Sequence, residues 1–195
     1  GAGTYKNHAT AVGAGSYASG NYPPSIGSYS SAEDTGALAV GYQAHAHGYA
    51  DVAFGNSSQA YQAYSSAMGN SAIANGVRAT SSGFDSSATG QNSTATGSES
   101  YAYGTNNTAT GAYSFAAGGY TGTSFGNPVY SFTQGTTANG AYAHAAGDFS
   151  SASGYKSVAA GTFTGGYYSA ATGATSNGAY SHAIGDNTSA FGYRS

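Results

Sequence analysis

Glycine returns at every seventh residue through most of this chain, and no other feature restricts its fold as much. Residues 86–111 read SSATGQNSTATGSESYAYGTNNTATG, with the repeat marked by Gly90, Gly97, Gly104 and Gly111. Ala88, Ala95, Ala102 and Ala109 stand two places before those glycines, and Ser86, Ser93, Ser100 and Asn107 four places before. A fixed period this short points to a solenoid, in which each coil buries its inner face only by stacking on its neighbours. Counted in sevens from Gly13 to Gly118, glycine fills every position except Asp34 and Gln62.

The count then slips. A one-residue insertion within residues 118–126 shifts the phase, which runs on through Gly140, Gly147, Gly154 and Gly161 with Thr133 as the exception. About three further residues enter around Thr164-Gly165-Gly166 before Gly178, Gly185 and Gly192 resume the period. These are expected to be small loop insertions, near 119–126 and 162–168, within one β-roll domain spanning residues 1–195.

Each heptad reads as a short strand and a turn. Side chains alternate along a strand, so positions −4 and −2 from the glycine share one face. That face is almost wholly Ala or Ser, narrow enough for two strands to approach across a thin core. Glycine permits positive φ or close backbone approach at the corner. A helix is disfavoured, since glycine in a helix interior costs about 1 kcal/mol each time.

The opposite face, at −3 and −1, doubles the period to 14. Alternate heptads carry Thr10/Val12, Pro24/Ile26, Leu38/Val40, Val52/Phe54 and Ser66/Met68, whereas the intervening ones carry Tyr17/Ser19, Ser31/Glu33, His45/His47, Gln59/Tyr61 and Ile73/Asn75. The expected fold is therefore all-β, a solenoid of 14-residue coils with one outer face apolar and the other mostly polar. An apolar column on an outer surface calls for a partner. It turns to hydroxyls at Thr80/Ser82, Thr94/Thr96 and Thr108/Thr110, so an interface should be driest toward the N-terminal end.

Composition narrows the function. A net charge of −3, with only 6% charged residues, is too weak a field to steer binding to nucleic acid or an acidic membrane. There is no cysteine, hence neither disulfide nor thiolate chemistry. No apolar stretch reaches the roughly 18 residues of a spanning helix, and no secretory signal is visible. The acids Glu33, Asp34, Asp51, Asp85, Glu99, Asp148 and Asp186 are scattered, without the paired arrangement of general acid–base catalysis. His45 and His47, two apart on one outward face, could chelate a metal if a third ligand joined them. The plainer reading is a polar strand facing solvent, so no metal, cofactor or catalytic residue is expected.

Tyrosine is abundant at turns. Tyr42, Tyr49, Tyr113, Tyr142, Tyr155 and Tyr180 fall one or two residues past a heptad glycine and are candidate ligand-binding residues. Tyrosine offers large contact area at low entropic cost, which suits a protein-binding surface. The same rings could equally stack on one another up the solenoid.

These repeats resemble the YadA-like head of trimeric autotransporter adhesins, through units such as HATAVG, GALAVG, SSAMG, STATG and SHAIG. The resemblance implies a left-handed parallel β-roll, three of which join side by side as a homotrimer on the bacterial surface. The trimer interface would then be Val12, Ile26, Leu38, Val40, Val52, Phe54 and Met68. It also implies a host matrix protein as ligand, with fibronectin, collagen and laminin not distinguished. The family's collagen-associated motif is matched by Ser181, Ala183, Ile184 and Gly185, while Tyr180, His182 and Thr188 replace its Asn, Val and Ser. Around Gly13 the matches are Ala11, Gly13 and Ser16, with Val12 for Ile. The family's neck, stalk and C-terminal anchor lie outside these residues, so membrane attachment is expected only through such an anchor. Two other readings stand beside the adhesin: an ice-binding solenoid using Thr94, Thr96, Thr108 and Thr110, and a structural spacer within a fibre.

Overall fold

The computed structural model describes the backbone of the chain apart from residues 5–7, 119, 125–126, 131–132, 162 and 165–166. Among the described residues every regular element is a β-strand. By its internal contacts the chain divides into two units, Gly1–Asn92 and Ser93–Ser195. Both are parallel β-solenoids.

In the first unit two parallel sheets alternate along the chain. One holds Tyr17–Ala18, Ser31–Ala32, His45–Ala46, Gln59–Ala60 and Ile73–Ala74; the other holds Thr10–Val12, Pro24–Ile26, Leu38–Val40, Val52–Phe54, Ser66–Met68 and Thr80–Ser82. Register partners lie 14 residues apart, as in Leu38 with Val52 and Ser31 with His45. The strands are short because the coil must turn every seven residues.

The core is a double wall of very small side chains. Ala18, Ala32, Ala46, Ala60 and Ala74 are fully buried along one sheet, and Ala39, Ala53 and Ala67 along the other. Serines at −4 are buried beside them, which would be costly if their hydroxyls had no partner. The turn supplies one. Ser16 donates to the Gly13 carbonyl at 2.9 Å, Ser30 to Gly27 at 2.8 Å and Ser58 to Gly55 at 3.0 Å. Ser16, Ser30 and Ser58 thus cap the preceding turn while filling the core, and Ala37, Ala44 and Ala72 at the same position fill the core without that bond.

Two unlike turn columns follow. After the apolar strands, Gly27, Gly41, Gly55 and Gly69 all have φ between 132° and 138°, where other residues are strained. In the other column Gly20, Gly48 and Gly76 lack positive φ while Gly90 has φ 137°, and it is this column that admits Asp34 and Gln62. The two breaks in the glycine pattern fall in the column where φ at Gly20, Gly48 and Gly76 does not itself demand glycine. A Cβ on Gly20 or Gly76 would nevertheless meet the next coil's backbone at 2.2 and 1.9 Å. Two residues past the glycine comes a left-handed position, filled by residues as different as Tyr29, Gln43, Ala50 and Arg78.

The second unit repeats this plan with two interruptions. Thr94 pairs with Thr108 at the regular spacing of 14, but Thr108 pairs next with Thr137 and Phe115 with His144. The intervening chain forms an antiparallel pair, Tyr120–Ser124 with Asn127–Tyr130. The expected one-residue insertion is thus corrected: a whole coil's worth of chain and one residue more leave the stack. A smaller pair, Phe163–Thr164 with Tyr167–Tyr168, accompanies the step from Ser151 to Thr175 and from Val158 to His182. That excursion adds ten residues to the regular spacing, against the three counted from sequence. Gly119, Phe125, Gly126, Thr162, Gly165 and Gly166, which belong to the expected loops, lie outside the described residues.

Candidate functional site

The apolar outer face of the first unit is assembled by register. Val12 pairs with Ile26, Ile26 with Val40, Val40 with Phe54 and Phe54 with Met68, forming one column. Leu38 and Val52 pair in the column beside it. Adjacent coils stand about 4.8 Å apart, so these side chains touch up the stack. Val12 and Phe54 still expose 54% and 56% of their surface, and Ile26 and Met68 are nearly as open; Leu38, Val40 and Val52 are half-buried. All seven residues expected at an interface are thus brought together on one face.

In the second unit the sheet running from Thr94–Thr96 to Ser189–Phe191 turns mainly hydroxyl and amide side chains outward, with Phe191 exposed in its last strand. Thr94, Thr108 and Thr137 share one column and Thr96, Thr110 and Asn139 the next. Thr137 joins the threonine array only because the excursion after Phe115 brings it into register.

The turn tyrosines form ladders. In the second unit Tyr113 stacks on Tyr142 at 4.9 Å, followed edge-on by Tyr155 at 5.9 Å, Tyr180 at 5.4 Å and Tyr193 at 6.0 Å. Lys156 places its ammonium 5.3 Å from the Tyr155 ring and 5.7 Å from both Tyr142 and Tyr180. Arg194 lies over Tyr193 at 5.1 Å. Two cations held against ring faces complete the ladder. A hydrogen bond from Tyr113 to the Glu99 carboxylate pushes that phenol above its ordinary pKa. In the first unit Tyr42 meets Tyr29 edge-on at 6.1 Å, while Tyr49 meets Tyr64 at 5.4 Å in the other turn column. The six candidate tyrosines therefore divide among separate ladders; Tyr180 is half-buried and the others are exposed.

The collagen-associated motif has a structural explanation in this chain. Ser181 and Ala183 are core residues, and Gly185 is a left-handed turn glycine. Of its matched residues only Ile184 projects outward. The match is carried mainly by positions that the coil itself requires.

A third group lies on the polar face of the first unit. Ser31–Ala32 pairs with His45–Ala46, which sets Glu33 one coil from His47. Glu33 Oε2 lies 3.0 Å from His47 Nδ1, and Ser31 Oγ donates to Glu33 Oε1 at 2.9 Å. Burial alone would raise the Glu33 carboxyl. Its hydrogen bonds to His47 and Ser31, with the charges of His47 and His45, outweigh that and hold it below the usual carboxylate value. His45 is held below the usual imidazole value, chiefly by burial and then by repulsion from His47, with Glu33 opposing. Donor atoms of Glu33, His45 and His47 all lie within 4.8 Å of one another. The sequence reading missed Glu33 as the third member. Its signal was the 14-residue step from 33 to 47, which puts both side chains in one outward column.

Fold and surfaces together define a parallel β-solenoid with an Ala/Ser core, one apolar outer face and aromatic turn ladders. The chain belongs to the YadA head domain family: the pattern of the YadA head domain repeat matches residues 6–22, 25–44, 46–72, 74–100, 95–121 and 134–157, more than half of its length. This is a family of adhesin heads, non-catalytic in kind. Among solved structures, the collagen-binding domain of the Yersinia adhesin YadA is similar over 78% of this chain and 76% of that one, with 22% identity and a TM-score of 0.42. A comparison with curated proteins finds no match.

Proposed function

We propose that this chain is the head of a bacterial surface adhesin, working as a side-by-side homotrimer that binds host matrix or cell-surface proteins. The observation that carries the reading is the column Val12, Ile26, Val40, Phe54 and Met68, in register and about half exposed in a single chain. A contiguous apolar strip on an outer sheet face is normally covered by a partner, and a closed cyclic assembly covers three copies of it at once.

Binding would be multivalent. Each contact on a repeated surface is weak, and three chains bearing many coils multiply them. The turn tyrosines, rigid and exposed, are the residues that would meet a matrix protein such as collagen, fibronectin or laminin. The head would stand outside the cell, tethered by an anchor elsewhere in its polypeptide. Light scattering across a concentration series tests assembly: the 19.1-kDa chain should give about three times that mass. A monomer at all concentrations overturns the trimer. Solid-phase binding to the three matrix proteins, with Tyr142→Ala and Tyr155→Ala as comparators, tests the surface; equal binding by these variants excludes those tyrosines.

A further inference from the structure

We propose that Glu33, His45 and His47 form an open binding site for a borderline-soft divalent cation of the zinc, nickel and copper class. The site rests on the parallel register of two neighbouring strands and is independent of the adhesin reading. His45 opens the strand His45–Ala46 and His47 follows it, still bonded to the next coil through its N–H to the Ala60 carbonyl at 2.9 Å, so both imidazoles stand on the same side of the sheet. Glu33 reaches them from the adjacent coil, because the Glu33 N–H donates to the Ala46 carbonyl at 2.9 Å and locks the two strands together.

A lone exposed Glu–His pair would be an ordinary surface contact worth roughly 0–1 kcal/mol. Here a second imidazole joins it, and one donor atom from each of the three residues falls within 4.8 Å of the others. In a tetrahedral zinc site, with metal–donor bonds near 2.0–2.2 Å, donors stand about 3.4 Å apart. Closing that gap takes rotamer changes of the three partly exposed side chains. Two nitrogen donors with one carboxylate favour zinc, nickel or copper; calcium and magnesium prefer all-oxygen sites.

The surroundings orient the ligands. The Ser31 hydroxyl holds one oxygen of Glu33, leaving the other aimed at His47. The His47 ring lies parallel to Tyr61 at 5.1 Å, within 3°, and nearly parallel to His45 at 5.6 Å. Tyr61 supports His47 from one side, while His45 turns out of its near-parallel setting so that the in-plane lone pairs of both imidazoles meet one cation. His47 Nδ1 and Glu33 Oε2 stand 3.0 Å apart; a cation held by both takes Nδ1 as its donor, which places the ring proton of a metal-bound His47 on Nε2. The remaining coordination positions stay open to water or to a donor from another molecule.

The test uses the untagged chain and zinc ion alone. Calorimetric titration should give one zinc per chain, and zinc should perturb the imidazole NMR signals of His45 and His47 in the unaltered protein. H45Q/H47Q should abolish the binding, E33Q should weaken it at least tenfold, and S31A should weaken it less. H144Q should bind as the unaltered chain does. Absence of zinc binding, or binding that persists in H45Q/H47Q, overturns the site. If the double variant is misfolded by circular dichroism, the unaltered protein still decides: zinc that leaves the His45 and His47 signals unmoved overturns it as well.

Discussion

A Cβ placed on Gly55 would stand 2.3 Å from the carbonyl oxygen of Gly69, one coil along. The same contact recurs at 2.3 Å from Gly41 to Gly55 and from Gly69 to Gly83. Glycine is fixed in this column by two constraints at once, a φ near 138° and a backbone packed against the missing side chain.

Gly55→Ala should therefore destabilise the fold by about 3 kcal/mol or more, from backbone strain plus forced separation of two coils. Gly36→Ala is the contrast. Its φ is 71° and the nearest atom to a new Cβ is 3.8 Å away, so only the left-handed penalty of about 1 kcal/mol applies. Urea unfolding of both variants checks the difference; equal losses would show that inter-coil contact does not matter there.

Phe54→Glu tests the apolar face. Phe54 is exposed in the single chain and its neighbours in register are Val40 and Met68. A carboxylate there leaves the Ala wall untouched, so stability of the isolated chain should change by less than about 1 kcal/mol. At a desolvated interface the same charge is costly. The expected outcome is a fall from trimer to monomer mass in light scattering, with an unchanged circular dichroism spectrum.

Much of this architecture was legible because the repeat encodes it twice. Ala and Ser at −4 and −2 mark the wall, and the alternation of Val40-type and His47-type outer residues marks two faces and a 14-residue coil. The excursion after Phe115 was not legible. Gly118, Gly126 and Gly140 keep nearly to the count of seven whether or not the chain between them stays in the stack, and only the pairing of Phe115 with His144 distinguishes the cases. The left-handed turn position was hidden for another reason. The coil imposes that conformation on whatever residue arrives, so Tyr29, Gln43 and Arg78 carry no common signal. The Glu33–His47 pair was legible in principle, but pairing acid with acid at coil spacing overlooks an acid and a histidine one coil apart.

Asp51 replaces the usual Ser or Ala of the wall and is fully buried. Its carboxylate accepts the Gly48 N–H and the Ser65 N–H, each at 2.8 Å. Burial pushes its pKa up, while those two hydrogen bonds pull the other way. Asn at this position can accept from only one of the donors and turns its own amide N–H₂ toward the other. Asp51→Asn should thus cost about 1–3 kcal/mol at neutral pH despite removing a buried charge. Chemical denaturation at pH 7 reads it; a variant more stable than the parent would mean that desolvation outweighs the two hydrogen bonds.

His144 gives the fold an acid sensitivity with a defined window. Its ring lies edge-on to Phe115 at 4.8 Å and to Tyr168 at 4.9 Å, with Val158 its register partner on the next coil. Desolvation among these groups lowers its pKa to about 4 from an ordinary 6.5. The folded state thus withholds a proton that the unfolded chain accepts. Stability from this site is complete above pH 6.5, declines as the pH falls and is lost near pH 4. A shift of this size is worth at most about 3 kcal/mol, and less for a ring that is only partly enclosed, so about 1–3 kcal/mol is expected. His144→Phe keeps the aromatic packing and removes the titration. Thermal melts of parent and variant between pH 7 and pH 4 should therefore diverge on acidification, the parent losing more; parallel curves would mean that His144 gains its proton as readily folded as unfolded.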